Sequence, residues 1–132
     1  MKKQGILNSH IVKVLTDLGH TDQITIGDCG LPVPEGVKKI DLALKLAQPT
    51  FQEVLDVILE DMEVERVILA SEIKEINPSQ EDACLNKLGS KVIIDYVSHE
   101  DFKKMTSNSK VVIRTGETSP YSNIILQSGV IF

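Results

Sequence analysis

The feature that most constrains this chain is a regular alternation of two apolar patterns. Short, largely β-branched runs, Ile24-Thr25-Ile26-Gly27-Asp28, Arg66–Ala70, Lys91–Val97 and Lys110–Arg114, are separated by segments with helical spacing. In residues 9–18, Ile11, Val12, Leu15 and Leu18 share one face, Asn8 or Ser9 supplies an N-cap, and Gly19 suits a left-handed residue after the end. A second helix starts at Thr50, where Glu53 completes a capping box, and buries Val54, Leu55, Ile58 and Leu59. Pro78–Leu88 reads as a third, with Asn77 as its cap and Gly89 at its end, and Ser98 caps a fourth through about Met105. Lys39–Leu44 and Ile124–Gln127 are further strands. GLPVPEG (30–36) is irregular, because Pro32 and Pro34 cannot donate to a ladder. The pattern predicts a single α/β domain over residues 1–132, with a mainly parallel sheet and helices on both faces. The last two strands are the ones free to pair differently.

The 132 residues are one domain's worth, with 42% hydrophobic and 25% charged residues, so a sizeable core is expected and no disorder. The net charge of −5 opposes nucleic acid and anionic membranes and leaves a neutral small molecule as the easier partner. Apolar runs are broken by charges well before a membrane span, and Asn8, Ser9, His10 and Lys13 interrupt any signal-like core, so a cytoplasmic protein is expected. Cys29 and Cys84 form no metal or redox motif and read as reduced thiols. No metal-binding spacing, dinucleotide fingerprint, phosphate loop or nucleophile elbow is present.

Parallel sheets gather ligands beyond the carboxyl ends of their strands. Asp28, His99 and Thr115-Gly116-Glu117 all follow predicted strands, so they are expected at one rim, although polar residues also collect wherever strands stop. His20 lies just past a helix C-terminus, where the macrodipole favours a charged imidazole, and Asp22 and Asp28 add to this. It is the candidate proton donor, expected to meet Asp28 at the rim, with a surface helix-end residue as the alternative. His99 begins a helix, where the dipole favours the neutral ring, a hydrogen-bonding group. In PYSN (120–123), Tyr121 can cover the apolar face of a sugar and Asn123 offers both donors and acceptors, or the segment is simply a turn. The matching base is open between Asp28, His99 and a water. Lys103, one turn after His99, is within reach of the site but reads more readily as solvated.

Four segments, GILNSHIVKVLTDLGHTDQITIGDCGLPVP, GVKKIDLAL, VSHEDFKKM and RTGETSPYSNIIL, together resemble the D-ribose pyranase family, which is related to the fucose mutarotases. The resemblance runs from Gly5 to about Leu126, and the GLPVP stretch favours the ribose branch. It implies a cofactor-free enzyme, without metal, that interconverts the pyranose and furanose forms of D-ribose. It implies His20 as proton donor and Asp28, His99, Tyr121, Ser122 and Asn123 as sugar-binding positions. It also implies a homodecamer of two stacked pentamers, with the Tyr-x-Asn segment entering a neighbour's site. Rival readings are a mutarotase for fucose or another neutral sugar, and a non-catalytic sugar-binding accessory of ribose uptake. The apolar stretch 124–132 is expected either to dock on a neighbouring subunit or to be the last strand of its own sheet.

Overall fold

A computed structural model describes residues 1–132. The strands are β1 (Gln23–Gly27), β2 (Lys38–Asp41), β3 (Val64–Ala70), β4 (Ile93–Val97), β5 (Val111–Arg114) and β6 (Ile124–Ser128). They form one sheet in the order β2-β5-β1-β6-β3-β4. The helices are α1 (Ser9–Asp17), α2 (Phe51–Asp61), α3 (Ile73–Ile76), α4 (Pro78–Leu85) and α5 (His99–Met105), followed by a 3-10 turn at Thr106–Asn108.

The α/β expectation holds. β2, β5 and β1 pair in parallel, as do β3 and β4. β6 alone runs the other way, antiparallel to β1 on one side and to β3 on the other. Helices cover both faces. Ile11 of α1, Phe51, Val54, Leu55 and Ile58 of α2, Ile73 of α3 and Cys84 of α4 pack in one core with Ile24, Ile26, Val67 and Leu69. On the other face Phe102 of α5 packs with Leu31, Ile68, Val112 and Ile125.

Local signals explain most of the starts. Asn8 caps α1 by accepting from Ile11 N, and Thr50 and Glu53 form the full capping box of α2. Ser98 caps α5 by accepting from Asp101 N. Several ends differ from expectation. α1 stops at Asp17 and Leu18 is extended; the left-handed residue is Thr21 (φ 70°), not Gly19, whose N–H donates to the Asp22 carboxylate at 2.9 Å. Asn77 does not cap α4 with its side chain, which donates instead to Pro120 O at 2.9 Å. α3 escapes a pattern reading because four residues make barely one turn.

Residues 124–132 resolve in favour of the strand reading. Ile124, Ile125 and Leu126 are fully buried at the centre of the sheet. Only the end of the stretch, with Ile131 and Phe132, is exposed.

Candidate functional site at the carboxyl rim

The strand directions decide what can meet. β1, β3, β4 and β5 all end at one rim of the sheet, and antiparallel β6 begins there. Asp28 follows β1, Thr115–Glu117 follow β5, His99 follows β4, and Tyr121-Ser122-Asn123 lead into β6. The expected convergence of these segments therefore occurs.

Asp28 and Asn123 form a reciprocal pair. Asn123 Nδ2 donates to Asp28 Oδ2 at 2.9 Å, and Asn123 Oδ1 accepts from Asp28 N at 2.9 Å. Gly30 N donates to Asp28 Oδ1, also at 2.9 Å. Asn123 is almost fully buried, whereas Asp28 is half-buried and keeps an open side. The approach requires Gly27: a Cβ there would stand 3.1 Å from Asn123 Oδ1 and 2.6 Å from Leu31 Cδ2. Behind the pair, Thr115 donates through its hydroxyl and its backbone N–H to Gly27 O, and Cys29 N donates to Glu117 O.

His99 is held by its backbone, which donates to both oxygens of Glu72 at 3.0 Å. This N–H keeps the Glu72 carboxyl below its usual range. The His99 ring meets Tyr121 edge-on at 5.2 Å between centroids and stacks toward Phe102 at 6.4 Å. Its Nδ1 is buried and has no hydrogen-bond partner. An unpaired buried acceptor or donor is costly. Tyr121 sits at φ 56°, a strained position for an aromatic residue that fixes its ring beside His99. Ser122 is fully buried; its hydroxyl is 2.7 Å from Ser119 Oγ and accepts from Gln80 Nε2 at 2.8 Å, so its side chain anchors the loop.

His20 departs from the expectation. It precedes β1 while Asp28 follows it, so the two lie at opposite ends of a five-residue strand, roughly 16 Å apart at ~3.3 Å per residue. They do not share a rim within one chain. At its own rim the half-exposed His20 ring meets a residue that the sequence had not singled out: Nε2 is 2.9 Å from Glu65 Oε2. Gln127 Nε2 donates to the other Glu65 oxygen at 2.8 Å, and Gln23 Nε2 donates to Gln127 Oε1 at 3.0 Å. The Gln127 and His20 bonds hold the Glu65 carboxyl below its usual range. In VERVILA, Glu65 reads only as a polar lead into a buried strand; its partner is 45 residues away, and no local spacing signals it. Lys103 pairs with Glu100 at 2.6 Å. No group of three or more His, Cys, Asp or Glu side chains is placed to hold a metal ion. None of the five surface concavities includes Asp28, His99, Tyr121, Asn123 or His20.

The rim thus presents carboxylate, amide and imidazole around an aromatic edge. These groups stand at the carboxyl rim of an α/β domain built on a mainly parallel sheet. The chain belongs to the RbsD / FucU transport protein family, whose model matches residues 1–131. It is 64% identical over 131 residues to a protein of Streptococcus agalactiae serotype Ia named D-ribose pyranase, covering 99% of each chain. A protein of the same name from Lactococcus lactis subsp. cremoris is 62% identical over 130 residues, covering 98% of each. Among solved structures, Bacillus subtilis RbsD complexed with D-ribose superposes with a TM-score of 0.96 at 56% identity, over 100% of both chains. The fucose mutarotase of Streptococcus pneumoniae in complex with L-fucose gives 0.79 at 25% identity, over 96% of this chain and 95% of that one.

Proposed function

We infer that this chain is an isomerase that interconverts the pyranose and furanose forms of D-ribose. The observation that carries the reading is full-length similarity, above 60% identity, to proteins named D-ribose pyranase, joined to near-superposition on a relative complexed with D-ribose. The fucose reading is weaker, at 25% identity against 56%.

The chemistry asks for little. Opening the pyranose breaks the bond between the anomeric carbon and the ring oxygen. A proton arrives at that oxygen and one leaves the anomeric hydroxyl, giving the open-chain aldehyde. Closing the furanose joins the C4 hydroxyl oxygen to the same carbon, with the proton movements reversed. No electrons or groups are exchanged, and general acid–base assistance is worth on the order of 10²–10⁴-fold. In our reading His20 delivers the proton to the ring oxygen. Asp28, through its open side, accepts sugar hydroxyls, and the anomeric proton leaves on the Asp28 side of the sugar. His99 offers its imidazole to a further hydroxyl. Tyr121 covers the sugar, Ser122 fixes the loop, and Asn123 acts mainly by holding Asp28.

His20 and Asp28 at opposite ends of β1 cannot act on one sugar within a single chain. We therefore propose that the site closes between two copies, His20 of one meeting Asp28, His99 and Tyr121 of the next. A head-to-tail contact of this kind closes into a ring, and two stacked pentamers are the assembly proposed. Leu44 and Leu46, 81% and 75% exposed, are apolar surface that such an assembly would cover. We place the activity in the cytoplasm, where the two free cysteines would stay reduced.

Magnetisation-exchange NMR on equilibrated D-ribose tests the activity. Catalytic amounts of protein should speed exchange between pyranose and furanose signals. Ribose binding with unchanged exchange would replace the enzyme by a sugar-binding module.

A further inference from the structure

We propose that Glu65 is the positioning residue of the proton-transferring histidine, aimed by a bulge in β3 so that His20 Nδ1, not Nε2, meets the sugar. The proposal rests on the reading of His20 as proton donor.

Three observations converge on it. The register between β3 and β6 slips: Val64 faces Ser128 and Arg66 faces Gln127, so Glu65 is the extra residue. A bulge of this kind re-aims one side chain out of the ladder's alternation. The space it needs comes from Gly129, where an added Cβ would stand 3.1 Å from Glu65 Cβ. Glu65 then receives two side chains at once, Gln127 at 2.8 Å on Oε1 and His20 at 2.9 Å on Oε2. Gln127 is in turn oriented by Gln23, so three strands contribute to holding one carboxylate.

The atom assignment follows from donor chemistry. An ionised carboxylate only accepts, so the nitrogen facing Glu65 must carry hydrogen. Nε2 is therefore a donor in both charge states of the ring, and Nδ1 is the atom that gains and loses the proton. No protein group bonds Nδ1, which leaves it to the substrate. Arg66 of β3 is the further charge that acts on the Glu65 carboxylate, while Asp22, two residues after His20, is paired with Lys110 at 3.4 Å. Only Glu65 among them bonds the ring.

The test is a double-mutant cycle read by ribose exchange in the assembled protein, with ribose binding measured by calorimetry as a folding control. Glu65→Gln keeps size and loses charge. It should lower kcat about tenfold or more and leave KM within about twofold, and Glu65→Asp should recover part of the loss. On a His20→Ala background Glu65→Gln should change nothing further, because it acts only through the ring. Ring ¹⁵N shifts give a reading independent of turnover: Nε2 stays protonated through the titration and Nδ1 alone changes. A wild-type kcat in Glu65→Gln, an equal loss on both backgrounds, or titration at Nε2 would overturn the proposal. Should Glu65→Gln fail to fold, the ¹⁵N reading on the unmodified protein still decides. If His20→Ala itself keeps near-normal exchange, the proton-donor reading falls first, a result distinct from failure at Glu65 alone.

Discussion

Asn123 grips Asp28 at two points, its Nδ2 on the carboxylate and its Oδ1 on the backbone N–H, both at 2.9 Å. The amide therefore sets the direction of the carboxylate as well as its distance. Asn123→Ala leaves the Asp28 N–H without its partner and the carboxylate without its guide. The expected outcome is at least a tenfold loss of ribose affinity by calorimetric titration, together with about 1–3 kcal/mol of lost stability in denaturant unfolding.

The split between the two ends of β1 gives a mixing test. His20→Ala and Asn123→Ala subunits, each nearly inactive, are dissociated together and reassembled. Pockets that draw His20 from one parent and Asn123 from the other should restore part of the exchange activity. No recovery despite demonstrated subunit exchange, or a fully active monomer, would defeat the shared-site arrangement.

The polar groups at the carboxyl rim were legible because strand ends are local events. Asp28, His99 and Glu117 each follow an apolar run that stops, and a parallel sheet carries such stops to one side. The position of His20 is not legible, for an equally physical reason. A helix end and a strand end adjacent in sequence look like neighbours, but β1 itself separates them by its whole length. The sequence leaves the last two strands free to pair differently but does not show that β6 alone reverses, nor that Glu65 bulges, since both arise from pairing between residues some 60 to 100 positions apart. The terminal stretch was ambiguous because a buried central strand and a docking tail are equally apolar.

Glu117 predicts a pH dependence of stability. Burial alone pushes its carboxyl up, but backbone N–H donors from Ser119, Phe51 and Thr118 outweigh that and hold it below the usual range. A carboxyl lowered on folding stabilises fully above its unfolded value of about 4.3, and the contribution is lost as pH falls toward the folded value. Glu117→Gln should therefore lower stability at pH 7 and flatten the acid limb of a stability–pH curve. An unchanged acid limb would show that Glu117 has no part in it.

Gly116 is expected to tolerate no side chain. A Cβ there would run into Gln48 O, whose contact is the tightest, and would stand 2.5 Å from Lys45 O, both of them backbone atoms. Gly116→Ala should cost about 1–3 kcal/mol in chemical unfolding as the 45–48 loop is displaced. A loss below about half of that would mean the loop moves aside freely.

The reversed β6 has a consequence for how the molecule comes into being. It is the sole bridge between the β2-β5-β1 block and the β3-β4 block, and its partners on β1 lie about a hundred residues upstream. Pairings so distant in sequence close slowly, after local helices have formed. The β3-β4 pair is complete early in the sequence, but β1 and β2 are joined only through β5, itself just ahead of β6, so the sheet closes only when the last two strands are in place. Since Asn123 stands at one end of that strand and Gln127 at the other, a single late insertion seats the guide of Asp28 and the support of Glu65 together. A chain that has not finished its sheet has neither half of its chemistry.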